Sequence, residues 1–231
     1  MGIINALSKV NEKIDHAALK AGRLPDDIKL VAVSKTVGPD KIIEAVKAGV
    51  IVLGENRVQE ATEKVQDIGL RTKGKKIEWH LIGHLQKNKS KTAIQLFDLI
   101  HSLDSPELAD TLDKYCGLKG KKQRVLIQVK ISDETTKHGV PEKDLMGLIE
   151  KVNNLDNLEL EGLMTIPPFF SDPEKARPYF SRLRQLKDTA TSKGFALPEL
   201  SMGMSGDYEV AIEEGSTMVR VGTAIFGERT Y

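Results

Sequence analysis

The feature that most constrains the fold of this chain is its alternation of short apolar runs with helical segments from one end to the other. Neither a low-complexity linker nor a repeat of fixed length interrupts the alternation. Such a pattern is typical of parallel β-strands joined by helices. It predicts eight strands, at residues 29–34, 50–53, 77–82, 99–102, 125–130, 158–163, 198–201 and 217–221.

The segments between these strands have helical character, and several begin with the proline or acidic residue that helix first turns prefer. Gly49 and Gly194 fit helix C-terminal stops. The predicted helices cover residues 40–48, 57–66, 106–115, 142–152, 173–192 and 207–213. A further helix is predicted at the amino end, where apolar residues recur at helical spacing: Ile3, Leu7, Val10, Ile14 and Ala17.

Eight parallel strands in 231 residues, each followed by a helix, fit a closed barrel better than an open sheet. A barrel of that strand number leaves no unpaired edge. We therefore predict an α/β fold, a (β/α)₈ TIM-type barrel with an N-terminal helix, as a single domain over residues 1–231. An open doubly wound sheet is the alternative.

Composition narrows the classes of function. The charges of the 34 basic and 33 acidic residues nearly cancel. This balance argues against a nucleic-acid or membrane-surface partner and favours a small-molecule ligand. The lone cysteine, Cys116, excludes an intramolecular disulfide framework and is expected to be a packed thiol. No apolar stretch approaches the ~20 residues that span a bilayer, and the amino-terminal helix carries acidic residues, unlike a signal peptide. We expect a cytoplasmic protein.

Polar and glycine-rich segments follow the predicted strands, at the barrel face where enzymes of this fold assemble their sites. Lys35 ends the first strand, in KLVAVSKT, and an amine in that position can form a Schiff base. The alternative is an ordinary solvated lysine. The other segments are GENR from residue 54, GHLQ from 83, HSLD from 101, MTIPP from 164, MGMSG from 202 and RVGT from 220.

The segments after the last two strands predict a phosphate site. Ser205, Gly222 and Thr223 precede short helical segments, and backbone N–H groups beside small residues bind anions. Plain turn chemistry is the alternative. Neither GxxxxGK[ST] nor GxGxxG is present, so no nucleotide is indicated. A reactive lysine facing a single phosphate site in a barrel implies pyridoxal 5′-phosphate (PLP), with Lys35 as the Schiff-base residue.

Several segments, distributed along nearly the whole chain, resemble those of the PLP homeostasis proteins, the YggS/PROSC group. These segments are VAVSKT, GENRVQE, WHLIGHLQKNK, HSLDS, KHG, GLMTIPP and SMGMSGDYEVAIEEGSTMVRVGTAIFG. The resemblance implies that Lys35 carries the cofactor and that Arg220 meets the pyridine nitrogen. It also implies that the residues holding the phosphate are Ser205, Gly222 and Thr223, and that those lining the ring are Asn56, Met164 and Met204. The barrel domain of alanine racemase is similar too, with the same lysine and arginine pairing.

Two functions are therefore expected as alternatives. The first is a carrier that holds PLP as a Schiff base and takes part in intracellular PLP (vitamin B6) and amino-acid homeostasis, with little or no catalysis. Its expected partners are small amino acids and apo PLP-dependent enzymes, and it is expected to be a monomer. The second is a PLP-dependent amino-acid racemase or related enzyme. A racemase needs a second base, which its additional domain supplies, and this chain stops at Tyr231, just past the eighth strand.

The histidines of this chain are candidate ligands or hydrogen-bonding groups. His80 and His84 stand four apart, but no third ligand follows at a recognisable spacing, so the sequence predicts no metal site. His84 is expected either to edge the cofactor site or to make structural hydrogen bonds. The KHG segment from Lys137 through His138 to Gly139 is expected to contact an anion or a partner, or to form a simple turn.

Overall fold

The structure is a computed structural model that describes residues 2–132 and 138–228. In this part of the chain, eight parallel strands close into a barrel in sequential order. Closure is direct, because the first and last strands pair from Lys29 with Met218 to Ala32 with Val221. The strands are β1 Lys29–Val33, β2 Val52–Glu55, β3 Glu78–Leu81, β4 Leu99–Leu103, β5 Gln123–Lys130, β6 Leu158–Met164, β7 Glu199–Met204 and β8 Met218–Val221.

The helices among the described residues surround this barrel. They are α1 Ile3–Lys20, α2 Pro39–Lys47, α3 Val58–Arg71, α4 Ser90–Leu96, α5 Pro106–Lys119, α6 Leu145–Asn153, α7 Arg177–Ser192, α8 Tyr208–Glu213 and α9 Thr223–Phe226. The predicted (β/α)₈ barrel with its N-terminal helix is confirmed, and the open-sheet alternative is wrong because β4 pairs with β5 while β1 pairs with β8.

Some predicted boundaries shift. Short 3₁₀ turns, Glu142–Asp144 and Pro173–Ala176, precede α6 and α7, so both helices begin later than the sequence indicated. A two-residue strand, Val140–Pro141, pairs with the end of β5 and was not predicted. Helix α1 packs on α8 and α9 through the apolar face that its periodicity indicated.

Strand side chains alternate between two environments, as they must in a barrel. One set joins the large apolar layer beneath the helices, for example Ala32, Trp79 and Ile100. The other set points into the barrel and includes a small apolar cluster: Val31, Val33, Val52, Ile82, Leu99, Leu126, Met164 and Met218. The inward positions of β3, β4, β7 and β8 also carry buried polar groups, and these lie directly below the predicted site.

Across the described residues, no helix combines the length and the apolar character that crossing a membrane requires.

Candidate functional site

Lys35 lies one residue after the buried Ser34 at the end of β1, and it is half-buried. It lines a cavity of about 690 Å³ at the carboxyl end of the barrel. Gly222 and Thr223 line the same cavity from the end of β8. The lysine and part of the predicted phosphate site therefore face one another across a single space.

A buried cation, Lys64 of α3, fixes the backbone that precedes Lys35. Its Nζ donates to the carbonyl oxygen of Ser34 at 2.6 Å, to Oε1 of Glu55 at 2.8 Å and to Oε1 of Glu60 at 2.6 Å. Glu55 also accepts a hydrogen bond from the Ser34 hydroxyl at 2.7 Å. This group of Lys64, Glu55 and Glu60, which we call the Lys64 cluster, was not predicted from the sequence. An acidic residue at the end of a buried strand does, however, indicate that a cation lies nearby.

The residue after Lys35 is held in an unusual conformation. Thr36 has a φ of +62°, a region that costs a non-glycine residue roughly 1–2 kcal/mol. Its N–H donates to Glu60 Oε1 at 2.5 Å. Burial raises the pKa of Glu60, but the hydrogen bonds from Lys64 and Thr36 outweigh it, and the pKa is lowered. The anionic carboxylate thus anchors Thr36 and, with Lys64, fixes the exit of Lys35 from the strand.

Two loops, which follow β7 and β8, contribute the predicted phosphate-binding residues. We call these residues, Ser205, Gly222 and Thr223, the phosphate cradle. The Ser205 hydroxyl oxygen accepts hydrogen bonds from the backbone N–H groups of Gly222 at 3.1 Å and Ala224 at 3.4 Å. A Cβ atom at Gly222 would lie 3.3 Å from the Cβ of Val33, so glycine permits this close approach to β1. The cradle and the adjacent Ala224 bring together two backbone N–H groups, both directed at the Ser205 hydroxyl oxygen, and two hydroxyl side chains. Such a set of groups suits a phosphate.

Arg220 is buried below the cradle and is fixed by two hydrogen bonds. Its Nη1 donates to Ser201 Oγ at 2.5 Å, and its Nη2 donates to the carbonyl oxygen of Thr165 at 2.8 Å. Burial lowers the pKa of Arg220 to about 10, against the opposing effect of Asp207. The guanidinium is still a cation at neutral pH. Met204 lies beside it in register, with its N–H donating to Asp207 Oδ1 at 2.6 Å.

Two histidines extend the contacts of Arg220 across the barrel interior. His101 Nδ1 lies 2.9 Å from Ser201 Oγ, and its Nε2 lies 3.0 Å from His80 Nδ1. Burial lowers the pKa of His80 and lowers that of His101 far more, so both rings are neutral. Ser201 accepts from Arg220, and its own hydroxyl proton is available to His101 Nδ1, in which case His101 Nε2 donates to His80 Nδ1. Within the described part of the chain, His80 Nε2 is buried without a hydrogen-bond partner. This row, which we call the interior histidine row, was not predicted from the sequence.

A second group of histidines lies at the rim of the barrel. His84, Asp104 and His138 follow β3, β4 and β5, and we call them the histidine cluster. The two imidazole rings stack with centroids 3.7 Å apart at 9°, and His84 Nδ1 lies 3.4 Å from Asp104 Oδ2. Burial raises the pKa of Asp104, against the charges of the two histidines. The pair considered from sequence is separated, because the His80 ring meets His101 inside the barrel.

The remaining predicted residues have varied positions. Asn56 is half-buried at the end of β2, where its backbone closely approaches Gly83. Met164 is fully buried in the interior apolar cluster. Of the predicted site residues, only Lys35, Gly222 and Thr223 belong to the described lining of the Lys35 cavity. That lining does not include Asn56, Met164, Met204, Ser205 or Arg220. Cys116 is buried, and burial raises the pKa of its thiol.

The KHG segment is described only in part. Lys137 lies outside the described residues. The carbonyl oxygen of His138 accepts a hydrogen bond from Gln128 Nε2 at 2.9 Å, which ties this loop to β5. Gly139 has a φ of +132°, a conformation that favours glycine. The described part of the segment bends at Gly139, and the His138 side chain belongs to the histidine cluster.

The chain is similar to several known proteins. Residues 8–230 match the family described as alanine racemase, N-terminal domain. The chain is 47% identical over 232 residues to the pyridoxal phosphate homeostasis protein of Aquifex aeolicus (strain VF5), with 100% of both chains covered. The structure of PipY from Synechococcus elongatus PCC7942 with PLP bound is similar, at 35% identity and a TM-score of 0.85, covering 97% of this chain and 100% of that chain.

A more distant similarity concerns the fold alone. The alanine racemase of Clostridium difficile 630 in complex with cycloserine is 18% identical, with a TM-score of 0.75. The match covers 95% of this chain and 58% of that chain.

Proposed function

The chain belongs to the family of the pyridoxal phosphate homeostasis proteins, and from that membership we propose that it binds PLP at the cavity lined by Lys35 and takes part in PLP and amino-acid homeostasis. The observation that carries this proposal is that Lys35 lines one cavity together with Gly222 and Thr223 of the phosphate cradle, while Ser205 contacts the Gly222 N–H. The related PipY structure has PLP bound.

The residues present suit the parts of PLP. When bound, the cofactor supplies an aldehyde that condenses with a primary amine and a ring that withdraws electrons. Lys35 is the amine, and the Lys64 cluster fixes the backbone on both sides of it. The phosphate cradle supplies N–H and hydroxyl donors, and Gly222 keeps the approach open.

Arg220 is the proposed partner of the pyridine nitrogen, and it bears on the question of catalysis. A guanidinium donates hydrogen bonds but cannot accept a proton in a protein, so it leaves a facing ring nitrogen unprotonated. An unprotonated ring withdraws electrons weakly. The hydrogen bonds to Ser201 and Thr165 hold Arg220 in place. We therefore favour a carrier with little or no catalysis over a PLP-dependent racemase.

Several further assignments belong to the same proposal. Residues 1–231 act as one domain, supported by a barrel whose strands run from Lys29 to Val221. The protein works in the cytoplasm as a monomer, where it exchanges PLP with apo-enzymes and contacts small amino acids. The balance of 34 basic and 33 acidic residues is consistent with small-molecule work of this kind.

The test is reductive trapping of PLP on the protein. Borohydride treatment of the loaded protein is expected to attach the cofactor to one peptide, the one containing Lys35, as read by mass spectrometry. The variant Lys35→Ala should lose the label. Lys41→Ala is the matched control, because Lys41 lines the same cavity, and it should keep the label on Lys35. Labelling of Lys41, or of scattered lysines, would contradict the assignment.

The racemase alternative is tested separately with the loaded protein. Exchange of the Cα proton of small amino acids in deuterated water requires a working base, whatever the final product. We expect exchange far below ordinary enzyme rates, which run from about 1 to 1000 per second. Steady exchange within that range would favour the racemase over the carrier.

A further inference from the structure

We propose that the histidine cluster, His84, Asp104 and His138, is a binding site for a divalent transition-metal ion. The three side chains come from the loops after three successive strands of the barrel. Each offers one ligand atom, and these atoms all lie within 4.8 Å of one another. This site goes beyond the proposed PLP function and does not depend on it.

The spacing suits one ion after small side-chain rotations. Nitrogen and carboxylate oxygen ligands lie roughly 2.0–2.2 Å from zinc, so two ligands of one ion lie about 3–4 Å apart. The His84 nitrogen and the Asp104 oxygen are already 3.4 Å apart, and the histidine rings are 3.7 Å apart between centroids. The stacked rings must turn so that one nitrogen of each meets the ion.

The burial of the cluster also suits a cation. The Asp104 side chain is only 14% exposed, which leaves its carboxylate short of water, while the His84 side chain is 37% exposed. A cation between them would compensate the charge of the carboxylate. On the other side of the cluster, the hydrogen bond from Gln128 to the His138 carbonyl oxygen fixes the loop that carries the second imidazole.

The ligand set selects the class of metal. Two imidazoles with one carboxylate suit zinc, iron(II), cobalt, nickel and copper, whereas magnesium and calcium prefer ligand sets made of oxygen atoms. Three protein ligands leave at least one coordination position for water or a small anionic molecule. The site is therefore of the open type, in which a bound molecule can exchange, rather than a closed structural site.

The site occupies the opposite side of the barrel mouth from the PLP cavity. The histidine cluster follows β3, β4 and β5, whereas the Lys35 cavity and the phosphate cradle follow β1, β7 and β8. None of its three residues belongs to the described lining of that cavity. Loss of one site should therefore leave the other intact, which allows the two proposals to fail independently.

The experiment is metal titration of the tag-free protein after chelator treatment. Cobalt(II) is the probe, because its visible absorption reports ligand number, and zinc is added as the competitor. The wild-type protein is expected to bind one equivalent of cobalt, which zinc then displaces. The variants His84→Ala, Asp104→Asn and His138→Ala are expected to weaken cobalt binding at least tenfold. Thermal unfolding of each variant shows whether it is folded.

The matched control is His16→Ala, which removes an exposed histidine of α1, far in sequence from the cluster. It should bind cobalt as the wild type does. A wild-type protein with no saturable binding would overturn the proposal, as would folded cluster variants that bind like the wild type. PLP trapping on Lys35 should persist in all three cluster variants, so a failed metal titration leaves the PLP assignment untouched.

Discussion

The two sides of the barrel mouth are built on different principles. On the side of β1, β7 and β8, the proposed PLP site relies on backbone N–H groups and on a glycine that permits close approach. On the side of β3, β4 and β5, the histidine cluster relies on side chains alone. A site made of backbone restricts which residues can occupy its loops, whereas a site made of side chains only requires that three distant residues meet.

The largest expected effect comes from closing the backbone approach on the cradle side. In Gly222→Val, the added Cβ would lie 3.3 Å from the Cβ of Val33, and the branched side chain would push the turn away from β1. Because the N–H donors move with the turn, we expect PLP affinity to fall at least about a hundredfold, roughly 2.7 kcal/mol. Fluorescence titration of the apo-protein with PLP measures this loss.

Gly38→Val is the control for that variant. Gly38 lines the same cavity, but a Cβ there would meet nothing within 4 Å. We expect its PLP affinity to stay within a few-fold of the wild type. If both variants lost PLP affinity equally, added side-chain volume in the cavity would be the cause, and the backbone at residue 222 would have no special role.

A smaller effect is expected from the hydroxyl of the same cradle. Ser205→Ala removes one group that can donate a charge-assisted hydrogen bond to a phosphate, and such bonds contribute about 1.5–3 kcal/mol. The expected loss of PLP affinity is therefore roughly tenfold to a hundredfold. The variant also removes the acceptor of the Gly222 N–H. Unchanged affinity would move the phosphate away from this loop.

The difference between the two sides explains what the sequence could predict. The barrel was predictable because its strands are buried on both faces and appear as continuous apolar runs. Lys35 and Gly222 could be identified because each closely follows such an apolar run, so that a few residues of sequence are enough to recognise it. Short elements were less predictable, and the bounds of α4 were not predicted because seven residues carry little periodicity.

The histidine sites could not be found in this way. Their members come from different strands and loops, so only the closed barrel brings them together. The sequence argued against His80 and His84 as a metal pair, and the structure separates them, because residue 80 lies on a strand and points into the barrel while residue 84 lies on the rim. Spacing along the chain identifies ligand pairs on a helix, but not across parallel strands.

The smallest expected effect concerns the interior histidine row between the two sides, and it is seen in the pH dependence of stability. Burial holds the pKa of His101 well below its ordinary value near 6.5, so the folded state keeps the ring neutral. As the pH falls below about 6.5, the unfolded chain binds a proton that the folded chain refuses. The free energy of unfolding should therefore fall with decreasing pH, by up to about 1.4 kcal/mol per pH unit for this residue.

Urea unfolding at a series of pH values measures this slope. The pH should run from about 7.5 to about 5.5, a range that brackets the ordinary histidine pKa. His101→Gln removes the titrating ring, so its stability should vary less with pH, even though the loss of the contacts to Ser201 and His80 lowers its stability at every pH. His16→Gln, at an exposed position, should retain the wild-type slope. If His101→Gln retains it as well, His101 does not cause the acid sensitivity of the protein, which must then come from other groups.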